Sequence, residues 1–261
     1  SEGVRTIIDV TPFDSGRDPE LLREVSRGSG VQIICATGCW LDIPRSLWDA
    51  SPDLIASLFI SDISVGIEKT GIKAGIIKVA NDMGGVTKEG ELVLRAAARA
   101  HKATGVPIST HTWAPERLGN QQIAIFEDEG VDLGRVYIGH SNDSTDLDYL
   151  AGLAKMGAWV GLDRYPGGDI PGTPGWEERT LVLKKLIDAG HADRIMLGHD
   201  WDVTATIANK GLRESMSVQN PDGFLFITRR VLPRLREMGV REEVIEDIMV
   251  RNPRRFFQGT R

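Results

Sequence analysis

Gly71-Ile72-Lys73-Ala74-Gly75-Ile76-Ile77-Lys78-Val79 is the stretch on which the fold turns. From Ala74 to Val79 it is apolar or small at every position but one, with no alternation of polar and apolar residues. A strand with one wetted face alternates, whereas a strand covered on both faces does not. The same reading extends outward in both directions. Val4–Val10 and Val31–Thr37 precede it; Val106–Thr110, Val136–Gly139, Trp159–Leu162 and Arg194–Leu197 follow it. Between these runs Pro19–Arg27, Pro52–Lys69, Lys88–Ala103, Gln121–Glu129, Leu147–Met156 and Glu177–Ala189 carry apolar residues at helical spacing. After the last strand come a loop, Trp201–Gly223, and two further helices, Phe224–Met238 and Arg241–Val250.

Strict strand-then-helix order with short connections predicts a parallel sheet of the α/β class. A doubly wound sheet and a closed barrel both satisfy that order. No G-x-G-x-x-G follows a strand and there is no Walker A loop, which favours the barrel. The expectation is a (β/α)8 TIM barrel of which seven strands are visible. With no linker or compositional break, residues 1–261 are expected to form a single barrel domain. The length itself is that of a complete barrel, about 250 residues, so the count of seven stands out against it.

Composition narrows the function. The chain carries 31 Lys and Arg against 37 Asp and Glu, a net charge of −6 without basic clusters, which argues against nucleic-acid binding. Its apolar runs fall far short of the roughly 18 residues that span a bilayer. Cys35 and Cys39 form no disulfide framework or zinc ribbon. No basic-then-apolar leader opens the sequence, and a cytoplasmic location is the expectation.

On a β/α barrel the chemistry gathers at the carboxyl ends of the strands. Those ends read Ile77-Lys78, Thr110-His111, Gly139-His140, Leu162-Asp163-Arg164 and Gly198-His199-Asp200. Singly, each has a plain use: a hydrogen-bonded histidine, a snorkelling lysine, an aspartate capping a turn. Barrel closure would bring two imidazoles, a carboxylate and an amine to one mouth. Imidazole and carboxylate suit zinc, manganese or cobalt. The lysine fits that company only as a neutral amine, favoured by desolvation, which adds carbon dioxide to give a carbamate able to bridge two metals.

Taken together, Gly3–Asp9, Ala36-Thr37-Gly38, Gly71–Lys78, Pro107–Thr112, Ile138–Ser141, Gly161–Arg164, His199-Asp200, Asn220–Gly223 and Asn252–Phe257 resemble the phosphotriesterase family of the amidohydrolase superfamily. The resemblance runs in order over nearly the whole chain. It implies a homodimeric binuclear-metal hydrolase that cleaves lactone or phosphotriester (organophosphate) bonds with a hydroxide shared between the metals. It implies a carbamate on Lys78 as the bridging ligand, His111 and His140 on the more exposed metal, and Asp200 on the buried one. Zinc is expected, with cobalt, manganese or iron as substitutes. Asp200 would also accept the nucleophile's proton and pass it through Asp143 and Arg164, while Trp40 and Tyr165 would line the substrate pocket.

Two features depart from the family or mix its branches. The family's first strand ends in a His-x-His pair, and none exists here, so the first β/α unit is expected to be absent from this sequence. Arg164-Tyr165 and His199-Asp200 resemble the lactonase branch, whereas Trp40, Asp200-Trp201 and the loop Trp201–Gly223 resemble the organophosphate-hydrolysing branch. The rival expectation is a non-catalytic barrel that binds a small molecule or a partner.

Overall fold

The structure, a computed structural model, describes residues 3–168, 170–201, 218 and 220–259. Seven strands lie in a single sheet in chain order: β1 (Thr6–Asp9), β2 (Gln32–Gly38), β3 (Ile76–Ala80), β4 (Ile108–His111), β5 (Val136–Ile138), β6 (Trp159–Leu162) and β7 (Ile195–Leu197). Every neighbouring pair is parallel. One helix fills each crossover: α1 (Pro19–Ser29), α2 (Pro52–Ser64), α3 (Lys88–Thr104), α4 (Gly119–Asp128), α5 (Leu147–Lys155) and α6 (Trp176–Asp188). The sheet curls into the (β/α) barrel-like arrangement that the alternation predicts, with β1 and β7 as its edges among the described residues.

Burial explains the unbroken apolar runs. Every residue of β3, β4 and β6 is buried, as a strand sandwiched between helices and the barrel interior requires. The helices start where local chemistry allows. Ser51 and Thr87 accept hydrogen bonds from Leu54 N and Gly90 N at the heads of α2 and α3, and Pro52 occupies the first turn of α2. α3 turns Val93, Leu94, Ala97 and Ala100 into the core.

Three helical expectations change. α2 ends at Ser64, short of Lys69, because Gly66 and Glu68 sit at φ +133° and +47°, where a right-handed helix cannot continue. The expected helix Phe224–Met238 divides into a five-residue π-helical turn, Ile227–Val231, followed by α7 (Leu232–Glu237). The expected helix Arg241–Val250 likewise becomes α8 (Glu242–Glu246) and a second π turn, Asp247–Arg251. An unexpected helix, α9 (Asn252–Gln258), follows it. Each π turn leads directly into a helix with proline at its second position, Pro233 and Pro253. Proline lacks the N–H and crowds the carbonyl four residues back, and the widened turn accommodates both. Of the loop Trp201–Gly223, residues 202–217 and 219 lie outside the described residues.

α9 closes the amino-terminal end of the barrel. Phe256 packs edge-on against Trp159, with ring centroids 6.1 Å apart, and lies 6.0 Å from Tyr137. Asn252, wholly buried, donates through Nδ2 to the carbonyls of Ala192 and Ile195, fastening α9 to the start of β7. Among the described residues, no helix is long and apolar enough to cross a membrane.

Candidate active site

Lys78 occupies the middle of β3 and is 3% exposed. Gly38, at the end of β2, stands opposite it in register. A Cβ on Gly38 would lie 1.8 Å from the Lys78 carbonyl oxygen, and Gly38 has φ +124°. Only glycine permits this approach. The backbone then passes to Cys39, whose N–H donates to the Lys78 carbonyl at 2.9 Å. Trp40 follows, held by hydrogen bonds from its N–H to both carboxylate oxygens of Asp14.

Three rings and the lysine meet at the mouth. His111 ends β4 and His140 follows β5, both buried. Trp40 packs edge-to-face on His111 with centroids 4.7 Å apart, and His111 does the same on His140 at 4.4 Å. Lys78 Nζ lies 5.5 Å from the Trp40 ring centroid. Asp200, just past β7 at φ +49°, brings Oδ2 to 4.0 Å from His140 Nδ1. Lys78, His111, His140, Asp200 and Trp40 are therefore together, as the strand ends suggest.

Burial disfavours charge on two members of the cluster. Burial pushes the Lys78 ammonium below its ordinary pKa, against the opposing pull of Asp163 and Asp200. Burial, reinforced by the adjacent His140 and Lys78, holds the His111 imidazole far below the usual histidine range. Burial alone would raise the Asp163 carboxyl, but His140 outweighs it and brings the pKa to about 2. Asp163 Oδ1 accepts from the His140 backbone N–H at 2.6 Å and faces Nδ1 at 3.0 Å. With a carboxylate facing it, Nδ1 is the donating nitrogen, an arrangement common in metal-binding histidines.

Whether the residues suit a cation can be judged from what is left unsatisfied. Among the described residues, both ring nitrogens of the buried His111 lack a hydrogen-bond partner. Lys78 makes no ion pair within 4.0 Å among the described residues. Orphaned imidazole nitrogens beside a desolvated amine fit a bound cation. The fit is partial: among the described residues no three His, Cys, Asp or Glu side chains are grouped as a ligand set. Asp200 instead accepts a hydrogen bond from Arg164 Nε at 2.9 Å.

Arg164 also donates through Nη1 to Asp143 Oδ2 at 2.5 Å. Asp143, Arg164 and Asp200 are thus in contact as a chain. Burial works against the charge of Arg164, but Asp143 and Asp200 outweigh it and hold its pKa above the ordinary value.

Tyr165 departs from expectation. It is wholly buried within the hydrophobic core and presents no surface to a substrate. Asp163 is a site residue beyond those expected, although it stands one residue past an apolar strand, where such a signal is legible. Asp82 is another, with Oδ2 3.5 Å from His111 Nε2, and nothing in the sequence marks the loop after β3.

A model of the phosphotriesterase family matches residues 1–257. The chain is 39% identical over 268 residues to a phosphotriesterase homology protein of Mycobacterium tuberculosis, covering 99% of this chain and 80% of that one. It is 38% identical over 259 residues to an aryldialkylphosphatase of Saccharolobus solfataricus, covering 98% and 81%. It is 32% identical over 267 residues to a phosphotriesterase homology protein of Escherichia coli, covering 99% and 85%.

Proposed function

The chain belongs to the phosphotriesterase family, and from that premise we propose that it is a metal-dependent hydrolase of ester bonds, acting on lactones, phosphotriesters or both. The observation that carries the reading is the buried His111–His140 pair beside a desolvated Lys78 with no ion pair among the described residues. The aryldialkylphosphatase relative supports the phosphotriester arm.

Lys78, as its carbamate, with His111 and His140 would hold one divalent cation, and Lys78 with Asp200 a second; the same ligands accept zinc, cobalt, manganese or iron. When bound, such cations supply Lewis-acid polarisation of the ester and acidify the attacking water.

The chain's own groups do the rest. Asp200 keeps Oδ2 on Arg164, while its Oδ1 makes no hydrogen bond among the described residues and takes the proton of the attacking water. A guanidinium keeps its proton at neutral pH, so Arg164 does not hand that proton on. Arg164 and Asp143 orient Asp200 instead, which replaces the expected passage through them. Trp40, braced by Asp14, walls the mouth on the side of His111. A homodimer belongs to the same reading, and sedimentation velocity tests it.

Lys78→Ala is the decisive variant. Metal content falls from about two equivalents per chain, and turnover of an aliphatic lactone and an aryl phosphotriester falls with it. Added short-chain carboxylate restores both. Survival of metal and activity without that addition would refute the bridging role. A parent chain that takes up no metal would instead be a barrel that binds without turnover. The ratio of kcat/KM for the two substrates decides the branch.

A further inference from the structure

Arg179 has no part in the reading so far, yet it has the largest of the wholly buried side chains among the described residues. It is the fourth residue of α6, where the helix dipole disfavours a cation. A buried guanidinium without partners is strongly unfavourable, so its reason for being there lies in what it grips. Nε donates to the Pro174 carbonyl and Nη1 to the Asn142 carbonyl, both at 2.7 Å, and Nη2 stands 2.8 Å from Asp143 Oδ1. Gly167, at φ +68°, presses its backbone on the guanidinium; a Cβ there would lie 2.1 Å from Nε and 2.4 Å from Cζ.

From Arg179 the charges alternate outward. Asp143 is wholly buried, with one oxygen on Arg179 and the other on Arg164 Nη1. Arg164 reaches Asp200 through Nε. The Asn142 side chain brackets the Arg164 backbone, Oδ1 accepting from its N–H at 3.1 Å and Nδ2 donating to its carbonyl at 3.2 Å. Basic and acidic side chains thus alternate from the core to the mouth in the order Arg179, Asp143, Arg164, Asp200.

We propose that Arg179 is a positioning residue for the hydrolytic site. It holds the Asn142 carbonyl and the Asp143 carboxylate at once, and so fixes Arg164 in the one orientation that leaves its Nε on Asp200. The proposal deepens the hydrolase reading and rests on it. Without Arg179, both Asp143 oxygens are left to a single cation. Arg164 then turns to meet them as a two-pronged pair and releases Asp200.

The test compares Arg179→Met, Asp143→Asn and the double variant with the parent. The first readout needs no turnover: solvent exchange of the Arg164 Nε–H in nitrogen-edited NMR spectra, its signal identified by its loss in Arg164→Lys. Exchange is expected to accelerate at least about tenfold in Arg179→Met as its carboxylate partner is lost. Turnover should fall about 10- to 100-fold in kcat, with KM within about threefold, the mark of a group that acts on the chemical step. The double variant should be no worse than Asp143→Asn alone. A folded Arg179→Met with unchanged Arg164 exchange and kcat overturns the proposal. So does a double variant markedly worse than Asp143→Asn, a comparison that remains available if Arg179→Met alone does not fold. A parent chain that hydrolyses neither ester, but whose Arg164 Nε–H is released by Arg179→Met, defeats the hydrolase reading and leaves the positioning role standing.

Discussion

Gly38 shows how much one missing side chain decides. Its φ of +124° and the 1.8 Å approach of a built Cβ to the Lys78 carbonyl both exclude any other residue. Gly38→Ala should lower stability by on the order of 3 kcal/mol, from backbone strain and overpacking together; chemical denaturation measures it. Because the carbonyl displaced belongs to Lys78, metal uptake should weaken in the folded remainder. Single residues also mark the limit of sequence reading. Lys78, His111, His140 and Asp200 were legible because each interrupts or ends an apolar run with a side chain of the wrong polarity. Arg179 was not, since an arginine in the first turn of an amphipathic helix looks like any solvated residue. Its burial depends on Asp143 and Gly167, which only the folded chain brings to it. Tyr165 misled for the converse reason: position after a strand does not say which way a side chain turns.

At the scale of elements, the strands were legible to within a residue or two, and the helices were legible except where backbone geometry overrode periodicity. The two π turns and the break after Ser64 leave the spacing of apolar residues nearly intact, so pattern alone extends the helix through them. α9 was missed because Pro253 reads as a stop, whereas at the second position of a helix it is a start. Between elements, charge does what apolar packing cannot. Glu129, just past α4, accepts from Arg99 and Arg95 of α3, and Arg99 also reaches Asp53 of α2. Hydrogen bonds from Arg99, ahead of the opposing effect of burial, hold the Glu129 carboxyl below its ordinary pKa. A depressed carboxyl stabilises the fold above the unfolded value of about 4.3 and ceases to do so as pH falls through its folded value. Glu129→Gln should therefore lower the urea midpoint at pH 7, and the gap to the parent should close below about pH 4. An equal gap at both pH values would remove the charge from the explanation.

Across the whole molecule, stability should be graded along the sheet. β3 and β4 are buried at every residue and paired on both sides. β1 pairs only with β2 among the described residues, and its Ile8 is 39% exposed. Amide hydrogen exchange should protect Ile76–Ala80 and Ile108–His111 most, and Thr6–Asp9 least. Uniform protection from β1 to β7 would contradict the gradient. Of the candidate site, Lys78 and His111 lie on the protected strands, whereas Asp200 stands beyond β7 at the other edge. The edge position of Asp200 gives Asn252 a second meaning. Its amide clasps the Ala192 and Ile195 carbonyls at the foot of the strand whose head carries Asp200. In mechanical terms α9 is the rivet of that strand: a load applied beyond Gln258 passes through the Asn252 amide and the Phe256 ring, which packs with Met196, before it reaches β7.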